Sequence, residues 1–119
     1  MNSLDNSIID NQAAKDVFVT PPHHINFMAK KLFGEIKGKI RDGAVAVIEP
    51  AGGGPQEKHS HSHNHLFIVT SGEARVEYDD ETVIIHENEA FMVEGTRPHA
   101  VWNNKDGRTV IIGITVAPE

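Results

Sequence analysis

The sequence predicts an all-β domain, a sandwich or barrel. Three observations carry that expectation: the apolar stretches are short, turn residues punctuate them regularly, and no segment sustains a helical period. Strand-like stretches fall at 24–33, 44–49, 58–61, 65–70, 73–78, 82–86, 90–93, 99–103 and 108–116. Between them stand Gly34, Gly38, Asp42-Gly43, Gly52-Gly53-Gly54-Pro55, Ser71-Gly72, Asp79-Asp80 and Lys105-Asp106-Gly107, the residue types that turns require. Many strands at this spacing favour two packed sheets or a closed barrel.

Alternation within the stretches indicates which faces are buried. Glu73-Ala74-Arg75-Val76-Glu77-Tyr78 exchanges polar and less polar residues with period two, as a strand wet on one side does. Leu66 to Val69, Thr82 to Ile85 and Thr109 to Val116 are almost continuously apolar and are expected to be covered on both faces. In so small a domain the outer cover is a second subunit, so a homodimer is expected. Residues 1–20 read as an N-terminal extension and 21–119 as a single domain; residues 1–16 are polar with isolated apolar positions and receive no role.

Composition excludes several classes. A chain of 119 residues buries a core without disulfides or a structural metal, so a bound metal is free to be functional. It has no cysteine, which removes disulfides, thiolate sites and iron–sulfur clusters. Seventeen acidic against eleven basic residues give a net charge of −6, with no basic patch beyond Lys30-Lys31 and Lys37/Lys39, which argues against nucleic acid. No stretch approaches the ~20 apolar residues of a membrane span, and Met1-Asn2-Ser3-Leu4-Asp5 lacks the basic start of a signal. No membrane partner and a cytoplasmic location are expected.

The chemistry concentrates in His59, His61, His63 and His65, directly before Leu66-Phe67-Ile68-Val69. Neutral imidazole is the commonest metal ligand, and a cluster without cysteine points to a nitrogen-coordinated divalent ion. A histidine tract in a disordered segment would be a metal buffer, but this one abuts an apolar strand. Strand residues two apart share a face, so His59 and His61 can converge on one ion. The residues between allow a turn that places His65 on an adjoining antiparallel strand. His99 opens a strand after Gly95-Thr96-Arg97-Pro98 and is the best-placed fourth ligand. His63 falls in the turn and reads as exposed and non-ligating. His23, His24 and His86 lack converging partners and read as surface or strand-edge residues. Trp102 runs out of phase with His99 and Asn103, so packing or a dimer contact is expected. Glu49, Tyr78 and Glu94 are available acids or bases, but nothing places them near the ion, and no catalytic residue is assigned. Gly52-Gly53-Gly54 lacks a following Gly-Lys-Ser/Thr and reads as a turn.

These residues resemble the cupins, small jelly-roll β-barrels also described as double-stranded β-helices. Gly53, His59, His61, His65 and Gly72 fall on the spacing of the first cupin motif, with His65 where glutamate is usual. Gly95, His99 and Asn103 match the end of the second, with Val93 in place of its proline and Asn88 in place of its first glycine. The resemblance covers roughly residues 40–116. It implies an ion held by His59, His61, His65 and His99 at one mouth of the barrel.

Histidine at the glutamate position leaves the full double charge on the ion, which favours an anionic ligand. An octahedral ion held by four nitrogens keeps two open positions, enough for a chelating hydroxy-acid, keto-acid, enediolate or diketonate. The metal is a divalent manganese, iron, nickel, copper or zinc ion, and its identity is not determined by the residues. The expected function is a metalloenzyme acting on a small anionic oxygenated molecule, with dioxygenase-like chemistry leading. The alternatives are a non-redox isomerase, epimerase or lyase on a sugar or sugar acid, and a non-catalytic binding or sensor domain. Fold resemblance does not choose among them.

Overall fold

The computed structural model describes residues 17–34 and 38–118. Among these the chain forms eight antiparallel strands and no helix: β1 (Ile25–Gly34), β2 (Ile40–His59), β3 (Asn64–Ser71), β4 (Ala74–Tyr78), β5 (Thr82–Ile85), β6 (Ala90–Val93), β7 (His99–Asn103) and β8 (Thr109–Val116). The hydrogen-bonded order is β5-β4-β7-β2-β8-β3-β6, with β1 added to β2. The result is the nearly closed jelly-roll barrel that the sequence leads one to expect.

Its most consequential element is β2. The stretches 44–49 and 58–61, expected as two strands joined by a glycine turn, are parts of one 20-residue strand. Residues 42–48 pair with β1 on one edge and β8 on the other, whereas Gly53, which still pairs with Ile25 of β1, also pairs with β7, as do Gly54 and His59. The chain therefore passes from one layer to the other without leaving the sheet. Gly53 and Gly54 have φ of 146° and 149°, backbone that glycine adopts at no steric cost. A Cβ on Gly53 would run into the Val101 carbonyl oxygen and lie 2.7 Å from Trp102 Cα. The glycines allow close approach of backbones and do not form a turn. Trp102 packs half-buried over this crossing, in keeping with a packing role. Asp42-Gly43 also lies within β2, next to a register shift.

The second topological difference concerns β3. It pairs with β8 and β6, not with β2, so no hairpin joins the first two histidines to His65. The segment 60–63 instead crosses between layers. Asn88, standing for a motif glycine, has φ of 65°, a left-handed conformation that asparagine tolerates.

Inward-facing residues of both layers form the core, including Phe27, Ile48, Val69, Val76, Ile85, Val93, Val101 and Ile111. Burial of each such side chain contributes about 1.5–3 kcal/mol. The register reveals a gradient along the barrel. Paired inward rows of β2 and β8 run Ile48/Thr109, Ala46/Ile111, Ala44/Gly113 and Asp42/Thr115. Bulk fills one end, and small residues leave the other hollow. At the filled end the buried Asn103 amide is fully used: Nδ2 donates to the carbonyls of Ile48 (2.9 Å) and Gly107 (2.8 Å), while Oδ1 accepts from Lys105 N (2.8 Å) and the Thr109 hydroxyl (2.9 Å). Leaving such buried groups unpaired costs about 1–3 kcal/mol each, so this motif asparagine is structural.

The expectation of double-sided cover divides. Outward residues of β1, β2, β8, β3 and β6 are neighbours in register, as in Met28–Val47, Val45–Ile112, Ile114–Leu66 and Leu66–Met92. They form an apolar outer face whose members are half-buried or, like Met28 (47%) and Met92 (41%), exposed in the single chain. Thr82 to Ile85 is not covered twice: β5 is an edge strand, and Ile85 is buried while Ile84 is exposed. Of the N-terminal extension, residues 1–16 lie outside the described residues; Val19 pairs with Ala29 through backbone hydrogen bonds of 2.9 and 2.8 Å. No helix among the described residues is long and apolar enough to cross a membrane.

Candidate metal centre

The four expected ligands meet at the hollow end, and both layers supply them. His59 ends β2 and pairs directly with His99, the first residue of β7. His65, the second residue of β3, sits beside Thr115 of β8 in the opposite layer. His61 lies in the crossing segment between them. Strand alternation therefore does not bring His59 and His61 together, because β2 ends at His59. Convergence comes from the crossing.

Backbone contacts hold that crossing against the turn after β6. His61 N donates to the Gly95 carbonyl (2.8 Å), and Gly95 N donates to Asn64 Oδ1 (2.9 Å). A Cβ on Gly95 would collide with the His63 carbonyl oxygen and come within 2.6 Å of His61 Nδ1. Imidazole orientation is set in the same place. Nδ1 of His61 donates to the His63 carbonyl (2.8 Å) and Nδ1 of His99 to the Arg97 carbonyl (2.6 Å). Carbonyls only accept, so these bonds put the proton on Nδ1 and leave the Nε2 lone pair free. Both Nε2 atoms are buried with no hydrogen-bond partner. Arg97 is itself held, with its guanidinium 3.7 Å from the Tyr78 ring centroid and paired with Asp80 (2.7 Å) and Glu81 (2.8 Å).

A buried, unpartnered nitrogen is costly unless something binds it. The donor atoms of His59, His61 and His99 all lie within 4.8 Å of one another, close enough to share one ion. Ring positions extend the fit to His65. With metal–nitrogen bonds of about 2.1 Å, centroids of cis imidazoles lie roughly 4.6 Å apart and those of trans ones roughly 6.4 Å. His59–His61, His59–His99, His61–His99 and His61–His65 are 4.9–5.0 Å apart, and His65–His99 is 6.5 Å. The rings of His59, His61, His65 and His99 are thus spaced so that they would suit one divalent ion. His61, His63 and His65 form a second group within 4.8 Å. However, the His61 and His63 rings are stacked 3.9 Å apart at 8°, and parallel rings cannot both aim in-plane lone pairs at one ion. His63 is half-buried on its neighbour, not exposed as expected.

Electrostatics keeps the cluster ready for a cation. Removal from water, then neighbouring imidazoles, pushes His59 down to about 4 and His65 down to about 3. Desolvation also lowers His99, against the bond to Arg97, and lowers His63. Neutral imidazole is the form that binds metal.

Behind the histidines opens a cavity of about 250 Å³, with His59, His65 and His99 in its wall. His24, expected at the surface, lines it as well, with Nδ1 bonded to the Pro22 carbonyl (2.8 Å). Asp42 lines it too, and none of Glu49, Tyr78 and Glu94 does. Glu49 pairs with Arg108 (2.8 Å), and the Tyr78 hydroxyl accepts from Glu94 N (3.3 Å). Asp42 was legible by counting back with period two from Ile48 through Ala46 and Ala44. Nothing in the local sequence marks His24. His86 stays outside, exposed beside Glu89 (3.1 Å).

Two predictions follow from this geometry. Gly95→Ala should weaken divalent metal binding tenfold or more by displacing the His61 crossing, with the barrel still folded; unchanged affinity by calorimetry would contradict that support. The second concerns pH. Unfolded histidines take up protons near 6.5, where His59 and His65 in the fold do not. Stability of the metal-free protein should thus be full above about pH 6.5 and fall as pH drops toward 4. His65→Gln should flatten the fall in denaturant midpoint, and a midpoint that rises on acidification would refute the neutral cluster.

Comparisons with known proteins agree with the fold. The family model described as "Cupin_2: Cupin domain" matches residues 44–115. A search of curated proteins returned no match. Among solved structures, the cupin domain of an XRE family transcriptional regulator from Enterobacter cloacae superposes with a TM-score of 0.68 at 20% identity, covering 80% of this chain and 100% of that one. A cupin-2 domain from Rhodospirillum rubrum gives 0.69 at 12% identity, covering 95% and 76%. A predicted oxalate decarboxylase from Thermotoga maritima gives 0.63 at 11%, covering 76% and 80%. At these identities the structures establish the barrel alone. With the family model spanning most of the domain, the chain belongs to the Cupin_2 family of cupin domains.

Proposed function

We propose that this cupin is a metal-dependent enzyme acting on a small anionic oxygenated molecule, with dioxygenase-like chemistry, and that His59, His61, His65 and His99 hold its divalent ion. The observation that carries the proposal is the pair of buried, unpartnered Nε2 atoms of His61 and His99, oriented by their Nδ1 bonds beside two further imidazoles and a largely apolar cavity. A divalent ion there would supply Lewis-acid or one-electron activation of a chelating oxygen ligand. The chain does the rest: four neutral donors leave the ion's charge uncompensated toward an anion, the apolar wall excludes water, and Asp42 is the carboxylate available to take or give a proton. A ligand-sensing domain is the second reading, favoured by the likeness to the regulator domain from Enterobacter cloacae.

The test is elemental analysis of untagged protein from metal-limited expression, with electron paramagnetic resonance before and after dioxygen. About one iron, manganese or copper per chain, with a signal that responds to dioxygen and a small keto-acid, is the expected result. His61→Ala and His99→Ala should lose the metal yet melt cooperatively, and His63→Ala should keep it. Stoichiometric zinc or nickel without an oxygen response would favour non-redox chemistry or sensing, and no metal would remove the proposal.

The proposal includes a homodimer in the cytoplasm. Its contact is the outer apolar face around Val45, Val47, Ile112 and Ile114, which a second copy would cover. Light scattering should give twice the chain mass, falling to one on Ile112→Lys; a monomeric wild type would refute it.

A further inference from the structure

The chemistry of the cavity behind the histidines is divided, and the division constrains what enters. Its polar side chains, His24, Asp42, His59, His65, His99 and Thr115, share the space with a floor of apolar ones, among them Phe27, Ala44, Ala46, Phe67, Val101 and Ile111. Along the floor the backbone polar groups of β2, β3 and β8 are consumed in sheet pairing. We infer that the molecule taken here is a singly charged oxygen chelator with an apolar body about the size of one aromatic ring, and not a polyhydroxylated sugar acid or a dicarboxylate. This rests on the metal site proposed above.

Three arguments lead there. The first is size. An apolar cavity of ~150 Å³ accommodates benzene, so about 250 Å³ holds one ring together with a chelating group. Ala44 and Ala46 create that room, and Gly113 makes way for the Phe67 ring, whose nearest atom lies 3.2 Å from where a Cβ on Gly113 would stand. The second is hydrogen bonding. A polyol pointing its hydroxyls at the floor would find no partners, and each buried unmatched hydroxyl lowers affinity roughly tenfold. His24 offers only Nε2, since its Nδ1 is engaged with Pro22. The third is charge. Among the described residues Asp42 is the single acidic side chain in the wall, and it opposes a second negative charge on the ligand.

The experiment titrates metal-loaded protein with phenylpyruvate, gluconate and oxalate by calorimetry. Phenylpyruvate should bind at least tenfold more tightly than either competitor. Ala46→Leu, which adds bulk to the floor at a residue that is not one of the proposed ligands, should weaken phenylpyruvate at least tenfold and leave metal affinity unchanged; Ala44→Leu serves where the first variant folds poorly. Gluconate or oxalate binding as tightly as phenylpyruvate, or phenylpyruvate affinity unmoved by both variants, would overturn the inference. A metal-free arm separates it from the site proposal. Toluene should raise the melting temperature of metal-free wild type and not of Ala46→Leu, whether or not any ion binds. Absence of that shift counts against the apolar floor itself, while failure of metal binding alone counts against the histidine site.

Discussion

The structure depends on β2 running unbroken through both layers of the barrel. One strand that pairs with β1 and β8 over its first part and with β7 over its last ties the registers of the two layers to each other. The crossing is possible because Gly53 brings the backbones of β2 and β7 closer than any side chain would permit, while Gly54 leaves room for the His24 ring. The strand then ends opposite the start of β7, and His59 faces His99 as a consequence of register. Bulk at Gly53 would push these strands apart and separate the two imidazoles.

Hollowness and chemistry at one end have a common origin in the inward rows of β2 and β8. Where those rows carry Ile48 and Thr109, the barrel is solid and Asn103 closes it with four hydrogen bonds. Where they carry Ala44, Ala46 and Gly113, the barrel opens into a cavity walled by histidine. Partial removal from water then holds His59 and His65 neutral far below the usual imidazole range. The packing that makes room for a ligand thus also keeps nitrogen lone pairs available, and the carbonyls of His63 and Arg97 direct two of them.

Much of this was legible in the residues. The turn chemistry and short apolar stretches identified the all-β class, and the spacing of Gly53, His59, His61, His65, Gly72, Gly95, His99 and Asn103 identified the cupin pattern. The departure at Asn88 proved harmless, since asparagine tolerates the left-handed backbone that the position needs. Other features were misread locally. Three glycines and a proline look like a turn, yet here they lie in extended strand because β7 must pass close by. A histidine run before an apolar strand looks like a hairpin, yet the chain crosses between layers. His24 came into the cavity from outside the matched pattern, by way of the strand edge that β1 provides.

The sequence by itself determined the class of the fold, the donor type and the histidines that gather, because turn propensity, periodicity and ligand chemistry are local properties. Tertiary structure alone decided that His65 approaches from the opposite layer, that His63 stacks on His61 at an angle unsuited to a shared ion, and that Asp42 and His24 face the cavity. Each of those outcomes depends on which strand edges pair. Strand pairing is a long-range choice, settled by register and close packing across the whole barrel, that no short stretch of residues encodes.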